Sequence, residues 1–351
     1  MPHKKLTILI AAGGTGGHLF PAQQLAEQLS DCEIAFAGHK LQETPFFTKG
    51  KVPFWEISSA PPKKDNWLRF LVSIGRGFCQ SLLMIRKFKP DVVVGFGSYH
   101  SFPILLAAAI TRKKIVLFEA NCALGKVNRI FSKIARCVAI QFPLERPLRN
   151  AILVPYLPWK APEEKISKEA ARAYFGLSNR FTFLIFGGSQ GATFLNETLP
   201  KALPLLQGID FQVIHLTGKG SPPISYGTIP ASVKEFEKEM DFAYAAADLA
   251  ICRSGAGTVA ELIRHQVPSL LIPFPQAADN HQWKNGQFLE NGVKGAKIVA
   301  QKEASPEKIV QELESLIQQI DEKKMDLKAW TPQMQGRRDL GALVRAIGET
   351  T

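Results

Sequence analysis

Short, continuously apolar runs alternate along the chain with segments in which apolar residues recur at helical spacing. The runs at 6–11, 181–186 and 250–252 are typical of strands inside a parallel sheet, because such strands are buried on both faces. The segment 22–29 instead has its apolar residues three and four positions apart, which predicts a helix with one buried face. The repeated succession of strand and helix predicts an α/β fold built from doubly wound parallel sheets.

A chain of 351 residues is longer than one hydrophobic core normally supports, so we expect two domains. The segment 156–164 is rich in proline and precedes a new helical pattern, which is typical of a linker. We therefore predict an N-terminal domain at 1–158 and a C-terminal domain at 162–333. The apolar pattern of the tail predicts a last helix, within 334–351, that packs back on the first domain.

Three predicted strands end in a glycine-rich turn that opens a helix. The turns are GGTGGH at 13–18, GGSQGA at 187–192 and CRSGAGT at 252–258. Each would direct backbone N–H groups and the positive end of a helix dipole at one point, which suits a phosphate group. The glycines of the first turn do not follow the GxGxxG spacing, and no acidic residue ends a second strand at the right distance. A hydride-transferring enzyme is therefore disfavoured.

Side chains beside these turns supply the candidate chemistry. His18 is the one side chain of the first turn that can exchange a proton near neutral pH, so we predict a general base there; a structural histidine is the alternative. Arg253 would place a positive charge beside the third turn. Glu261, one turn into the next helix, could accept hydrogen bonds from the two hydroxyls of a ribose; a surface glutamate beside an ordinary turn is the alternative.

Two further loops follow predicted strands, at 95–100 and 119–121. Because the carboxyl ends of parallel strands meet at one edge of a sheet, we expect the polar groups of these loops to reach the same cleft as His18.

The positive charge of the chain is concentrated in its first half. Residues 1–160 hold 22 Lys and Arg against 9 Asp and Glu, a net charge of +13, whereas residues 161–351 hold 21 against 22, a net charge of −1. A domain with this excess of positive charge could bind nucleic acid, an anionic membrane or a phosphorylated substrate. Nucleic acid ranks last, because no nucleic-acid-binding motif is present.

The segment 66–90 combines large apolar residues with arginines and lysines and has no acidic residue between Asp65 and Asp91. This composition is typical of a helix that lies on an anionic membrane surface, with Trp67, Leu68, Phe70 and Leu71 supplying apolar area. A crossover helix of the sheet with a solvated basic side is the alternative. Gly75 and Gly77 argue against a single straight helix.

Other classes of protein are disfavoured by the pattern. No run of 18 or more apolar residues is present, so we expect no membrane span, and the N-terminal apolar run lacks a cleavage site, so we expect no signal peptide. The five cysteines are scattered and never in CxxC spacing, which fits a reducing cytoplasm without a disulfide framework or a zinc site.

The three glycine turns, together with PFPQAADNHQ at 273–282 and DVVVGFGSY at 91–99, resemble those of the MurG family. These are the UDP-N-acetylglucosamine transferases of peptidoglycan synthesis, which belong to the GT-B glycosyltransferases. The resemblance covers nearly the whole chain in order. It implies two Rossmann-like domains that face an interdomain cleft, with UDP-N-acetylglucosamine (UDP-GlcNAc) held mainly by the second and the lipid acceptor by the first.

The resemblance also implies site residues. The residues matched to donor binding are Ser189, Gln190, Arg253, Ala256, Gly257, Thr258, Val259, Ala260, Glu261, His281 and Gln282. Those that would face the donor from the first domain are Thr15, Gly16, Gly17 and Asn121, and Tyr99, in the loop at 95–100, is a further candidate for substrate binding. The sequence departs from the family twice: the link motif Gly-Asn-Pro-Val-Arg is replaced by Val-Pro-Tyr-Leu-Pro at 154–158, and HEQN by Phe-Glu-Ala-Asn at 118–121.

The implied reaction is inverting transfer of N-acetylglucosamine from UDP-GlcNAc to the muramoyl 4-hydroxyl of lipid I, which gives lipid II. We expect His18 as the base, with Glu119 as the second candidate, and Arg253 with the N–H groups of 255–258 stabilising the departing UDP. No DxD pair ends a strand, so we expect neither a metal ion nor another cofactor. The family also implies peripheral attachment to the cytoplasmic face of the inner membrane and contact with other cell-wall synthesis and division proteins.

Two alternatives remain open from the sequence. One is a GT-B enzyme that glycosylates another lipid or a small acceptor. The other is a protein that binds a nucleotide sugar without catalysis.

Overall fold

A computed structural model describes residues 5–14, 16–48, 50, 52–60, 67–156, 166–188, 191–335 and 337–350. The chain divides into two compact units. Unit 1 is Met1–Trp159 together with Gly336–Thr351, and unit 2 is Lys160–Gln335. Each unit holds one parallel sheet, so the prediction of two doubly wound α/β domains is confirmed.

The sheet of unit 1 has seven parallel strands in the order β3-β2-β1-β4-β5-β6-β7. Their bounds are β1 Thr7–Ala11, β2 Glu33–Gly38, β3 Phe54–Glu56, β4 Val92–Gly95, β5 Lys114–Glu119, β6 Cys137–Ile140 and β7 Ala151–Leu153. Side chains alternate between the two faces of a strand, so one strand feeds two cores. Ile8 and Ile10 of β1 lie in one core, and Leu9 and Ala11 lie in the other.

Helices cover both faces of this sheet. Helices α1 (Gly16–Gln28) and α12 (Leu340–Glu349) pack on the first core. Helices α2 (Trp67–Phe88), α3 (Phe102–Ile110) and α4 (Lys126–Phe131) pack on the second.

The sheet of unit 2 has six parallel strands in the order β10-β9-β8-β11-β12-β13. Their bounds are β8 Phe181–Phe186, β9 Phe211–Leu216, β10 Ala231–Lys234, β11 Leu249–Cys252, β12 Ser269–Leu271 and β13 Ala296–Ile298. The helices are α5 Lys168–Tyr174, α6 Thr193–Ala202, α7 Met240–Ala246, α8 Ala256–His265, α9 His281–Gln287, α10 Pro306–Gln318 and α11 Ile320–Gln335. A hydrophobic core of this unit lies between the sheet and helices α6 and α10.

Helix α2 is continuous over 22 residues, so the expectation of a break at Gly75 and Gly77 is wrong. The reason is a close approach rather than a kink. A Cβ atom on Gly77 would lie 1.9 Å from the carbonyl oxygen of Ser58, so glycine lets the helix pack directly on the loop after β3. The side chain of Gln80 then accepts a hydrogen bond from the backbone N–H of Ser58 at 2.8 Å.

The expectation that no segment could span a membrane is also incorrect. Within the part of the chain that the structure describes, α2 is long and apolar enough to cross a bilayer by length and composition. The count of uninterrupted apolar residues missed it because Arg69 and Arg76 interrupt the run. Helix α2 nevertheless connects β3 and β4 of one sheet, and its second half buries Ser81, Met84 and Ile85 against unit 1.

Helix α12 returns to unit 1 and packs beside α1. Leu340, Leu343 and Val344 are buried in the same core as β1. Arg345 donates to the carboxylate of Asp31 at 2.7 and 3.2 Å, which ties the end of the helix to the loop before β2.

Candidate active site

The strand order reverses once in each sheet, between β1 and β4 in unit 1 and between β8 and β11 in unit 2. Ligands of open α/β sheets bind beyond the carboxyl ends of the strands at such switch points. All three glycine turns follow strands that border a switch point, namely β1, β8 and β11. The topology therefore provides a candidate half-site in each unit.

In unit 1, His18 lies in the first turn of α1, and a hydrogen bond to the backbone orients its imidazole. The Nδ1 atom lies 2.7 Å from the carbonyl oxygen of Phe96, just after β4. A carbonyl oxygen only accepts, so Nδ1 carries the hydrogen and Nε2 is the basic nitrogen. Gly97 has φ of 76°, and a Cβ atom there would lie 3.7 Å from Cε1 of His18. The structure thus presents His18 in the tautomer that a general base requires.

Glu119 ends β5 and is only 5% exposed, and both carboxylate oxygens are engaged. Oε1 accepts from the backbone and side-chain nitrogens of Asn121 at 3.1 and 3.0 Å, and Oε2 accepts from the backbone of Gly125 and from Nδ2 of Asn128 at 2.9 and 3.0 Å. All of the roughly four acceptor positions of this carboxylate are therefore occupied by donors of the chain itself. Its geometry favours an anchor for the loop before α4 rather than the second candidate base.

The structure describes four of the other site residues that the sequence predicts in unit 1. Tyr99 is half-buried at the start of a short 3₁₀ turn and packs on the second core. Asn121 is turned toward Glu119, and Gly16 and Gly17 form the start of α1. Thr15 lies outside the described residues.

Sequence reasoning did not single out a histidine pair beside the first turn. The rings of His39 and His100 stack with centroids 5.1 Å apart, and Nδ1 of His100 lies 2.7 Å from Oγ of Ser59. Burial, with the charges of His39 and His18 nearby, lowers the pKa of His100 to about 4, so this ring is neutral at physiological pH. With Gly14 and Lys40, the pair borders a hollow of about 440 Å³. The sequence could have indicated this pair through the position of His39, which directly follows the strand β2.

In unit 2, α8 begins directly after the third turn, and its N-cap residue is Gly255. Because glycine has no capping side chain, a phosphate could occupy the position that such a side chain takes at other helix N-termini. Oγ of Ser254 donates to the carbonyl oxygen of Gln282 at 2.7 Å. That bond joins the turn to the start of α9.

The side chain of Arg253 is bound to the neighbouring loop of unit 2. The residue is 7% exposed, and its guanidinium donates to the carbonyl oxygens of Ile272 and Pro273 at 2.8 and 3.2 Å and to the side chain of Gln301 at 2.7 Å. Burial lowers the pKa of Arg253. The side chain therefore braces the loop after β12, and the N-terminus of α8 is left as the source of positive potential.

Glu261 lies in the second turn of α8 and is half-buried. Its Oε2 accepts a hydrogen bond of 2.6 Å from the hydroxyl of Tyr244 in α7. Val259 and Ala260, which the resemblance placed with it, are fully buried on the core side of α8, so their side chains pack rather than bind.

The loop before α9 has an unusual backbone. Asp279 and Asn280 both adopt left-handed conformations, with φ of 52° and 55°. Oε1 of Gln282 accepts from the backbone N–H of Phe274 at 2.9 Å, which closes the loop and leaves the amide Nε2 as a donor group. Strain of this kind clusters at binding sites, and the contact of His281 and Gln282 with a sugar stays a prediction. Ser189 and Gln190, in the second turn, lie outside the described residues.

In the described part of the chain, no group of three or more His, Cys, Asp or Glu side chains is arranged to hold a metal ion.

Comparison with known proteins agrees with this geometry. The glycosyltransferase family 28 N-terminal domain matches residues 8–140, and the C-terminal domain matches residues 182–340. The UDP-N-acetylglucosamine–N-acetylmuramyl-(pentapeptide) pyrophosphoryl-undecaprenol N-acetylglucosamine transferase of Protochlamydia amoebophila is 41% identical over 329 residues, which cover 89% of this chain and 88% of that protein. The enzyme of the same name from Nitrosococcus oceani is 36% identical over 325 residues, which cover 89% of each. The crystal structure of Acinetobacter baumannii MurG matches with a TM-score of 0.77 and 27% identity, over 99% of this chain and 100% of that one.

Two doubly wound parallel sheets with glycine turns at their switch points, matched over 99% of the chain by the MurG crystal structure, assign the protein to the GT-B class of glycosyltransferases. Each domain of family 28 matches its own unit, in the same order along the chain. The chain belongs to the MurG family of N-acetylglucosamine transferases. The resemblance seen in the glycine turns is thereby confirmed.

Proposed function

We propose that this protein transfers N-acetylglucosamine from UDP-GlcNAc to undecaprenyl-pyrophosphoryl-N-acetylmuramoyl-pentapeptide, lipid I, and so forms lipid II. The observation that carries the proposal is 41% identity, over 89% of the chain, to a relative named for this reaction. The two glycine-rich switch points agree with it, because both substrates carry a diphosphate.

Unit 2 binds the donor. The first turn of α8 takes the diphosphate, Glu261 accepts from the ribose hydroxyls, and the loop closed by Gln282 contacts the sugar. As the sugar departs from UDP, negative charge grows on the diphosphate, and the dipole of α8 stabilises that charge. Arg253 contributes by holding the neighbouring loop, not by direct contact.

Unit 1 binds the acceptor and supplies the base. Nε2 of His18 takes the proton of the acceptor hydroxyl while that oxygen attacks the anomeric carbon from the face opposite UDP, which inverts the configuration. The hydrogen bond from Nδ1 to Phe96 stabilises the imidazolium that forms, because the carbonyl dipole points at the added charge.

The acceptor is lipid-linked, and we propose that unit 1 lies on the membrane through the first half of α2. Trp67, Leu68, Leu71 and Val72 are exposed there, and Arg69 and Arg76 are exposed beside them. Because α2 is held at both ends by strands of one sheet, it can lie along a bilayer but cannot cross it without unfolding unit 1. Attachment at the cytoplasmic face also places the protein beside other enzymes of cell-wall synthesis and division.

A UDP-release assay tests the proposal. The purified protein is given UDP-GlcNAc with lipid I, and the release of UDP is compared with that of an acceptor-free control. Release that depends on lipid I supports the proposal. Release only with a different lipid or small acceptor would identify another GT-B activity, and binding of UDP-GlcNAc without release under any condition would identify a non-catalytic binding protein.

A further inference from the structure

Tyr244 contacts the candidate ribose-binding carboxylate, although nothing in the glycine turns indicates it. The residue lies in α7, before β11, and is 2% exposed. Its hydroxyl donates to Oε2 of Glu261 at 2.6 Å, a short bond of the kind formed between a phenol and a carboxylate.

The ring of Tyr244 is held from two sides. The imidazole of His265 stacks on it, with centroids 4.8 Å apart and planes 15° apart, and Phe186 contacts it edge to face at 5.8 Å. The stacked imidazole lies in turn with its Nε2 3.0 Å from a carboxylate oxygen of Asp241. A ring confined in this way directs its hydroxyl at one point in space.

The Glu261 side chain needs such a fixed point. Glutamate has several rotamers, and ordering it when a ligand binds reduces affinity. A carboxylate has about four acceptor positions, so one bond from a phenol restricts its orientation without using its capacity for a ribose diol.

We propose that Tyr244 is a positioning residue for the donor: its hydroxyl holds the Glu261 carboxylate in the orientation that accepts the 2′- and 3′-hydroxyls of the nucleotide ribose. This inference rests on the proposed function, since it assumes a uridine nucleotide in unit 2. It adds a second layer to donor recognition, in which α7 sets the geometry of a contact made from α8.

The experiment measures binding of UDP and of 2′,3′-dideoxyuridine diphosphate by calorimetry. The variants are Tyr244→Phe, Glu261→Ala and the double variant. Tyr244→Phe keeps the ring and its stacking and removes one oxygen. We expect it to raise the Kd of UDP about five- to twentyfold, the usual cost of ordering a free glutamate side chain when a ligand binds, and to leave the Kd of the dideoxy nucleotide within about twofold of the wild type. In the Glu261→Ala background the same change should have no further effect.

A matched control is Tyr174→Phe, which also removes a tyrosine-to-glutamate hydrogen bond in unit 2, from Tyr174 to Glu237 at 3.1 Å. It should leave both Kd values unchanged.

The inference is overturned if Tyr244→Phe weakens both nucleotides equally, if it still weakens UDP binding in the absence of Glu261, or if it fails to fold, since each result would assign the hydroxyl to packing. If the wild type binds UDP and Tyr244→Phe binds it with the same Kd, the inference is overturned but the proposed function is not. A wild type that binds no UDP would overturn the proposed function as well.

Discussion

His18 and Glu119 both lie at the carboxyl edge of the unit 1 sheet, yet their hydrogen bonds give them different capacities. The hydrogen bond between Nδ1 of His18 and the carbonyl oxygen of Phe96 fixes the tautomer in which Nε2 is the basic nitrogen. The four bonds to Glu119 use its oxygens to hold a loop. The assignment of base and anchor follows from these partners.

Replacing His18 with alanine should lower kcat about 10²- to 10⁴-fold, the usual contribution of a positioned general base. Donor affinity should change little, because the proposed binding site of the nucleotide is in unit 2. Turnover from the UDP-release assay and Kd for UDP measure the two effects. Turnover within threefold of the wild type would remove His18 from the mechanism.

Glu119→Gln should instead destabilise unit 1. The new amide turns an NH₂ group toward donors that now contact a carboxylate oxygen, so at least one buried donor loses its acceptor. We expect the free energy of unfolding to fall by about 2–3 kcal/mol. Denaturant unfolding measures it, with His18→Ala as a control that should unfold like the wild type. Full stability with abolished turnover would restore Glu119 as a base.

Arg253 shows why the contacts of an individual side chain are hard to predict from sequence. The glycine turns could be recognised because a strand, a turn and a helix are local patterns. The partners of Arg253 are carbonyl oxygens 19 and 20 positions away, and only the fold brings them near. The same holds for Tyr244, which lies 17 positions from Glu261.

At the scale of elements, α2 performs two tasks along its length. Its second half is a crossover helix that packs on α3, whereas its first half exposes apolar and basic residues. The crossover interpretation therefore holds for the second half of the helix, whereas the membrane interpretation stays a prediction for the first half. Apolar runs predicted the strands well, but the packing role of Gly77 could not be predicted, because the atom it accommodates belongs to Ser58.

Charge reversal in the first half of α2 tests the membrane proposal. Arg69→Glu with Arg76→Glu should weaken binding to anionic vesicles at low salt by about 2–4 kcal/mol, because each basic residue contributes on the order of 1 kcal/mol and each new acid is repelled. Vesicle sedimentation measures this, while UDP binding should be unchanged. Lys63 and Lys64, two further basic residues shortly before this helix in the sequence, lie outside the described residues.

The matched control for this test is Lys302→Glu with Lys328→Glu, two exposed positions in unit 2. It should sediment like the wild type. Equal binding of the wild type to neutral vesicles would contradict the electrostatic part of the proposal.

At the scale of the whole molecule, buried histidines make stability depend on pH. Burial lowers the pKa of His100 to about 4 in unit 1 and that of His215 to about 4 in unit 2. His215 is fully buried, with Tyr226 at 2.8 Å from Nδ1 and Asn196 at 3.0 Å from Nε2. Both partners are satisfied by a neutral ring, so a proton would disrupt the arrangement.

Stability should be complete above pH 6.5 and should decline as the pH falls toward 4. In that window the unfolded chain binds protons at these histidines and the folded chain does not, so each lowers the free energy of unfolding by up to about 1.4 kcal/mol per pH unit. Denaturant unfolding at pH 7, 6 and 5.5 measures the slope. His215→Gln should make it shallower, and an unchanged slope in that variant would contradict the assignment.

The return of α12 to unit 1 also orders the events of synthesis. A ribosome completes all of unit 2 before Leu340, Leu343 and Val344 emerge, and these side chains cover the core that contains Ile8 and Ile10. The core around β1 is thus completed only after α12 has been synthesised. Unit 2, which lies in the sequence between the two parts of unit 1, can fold on the nascent chain before that. Unit 1 begins folding early and finishes late, so for most of translation the chain carries an exposed apolar surface that a chaperone would recognise.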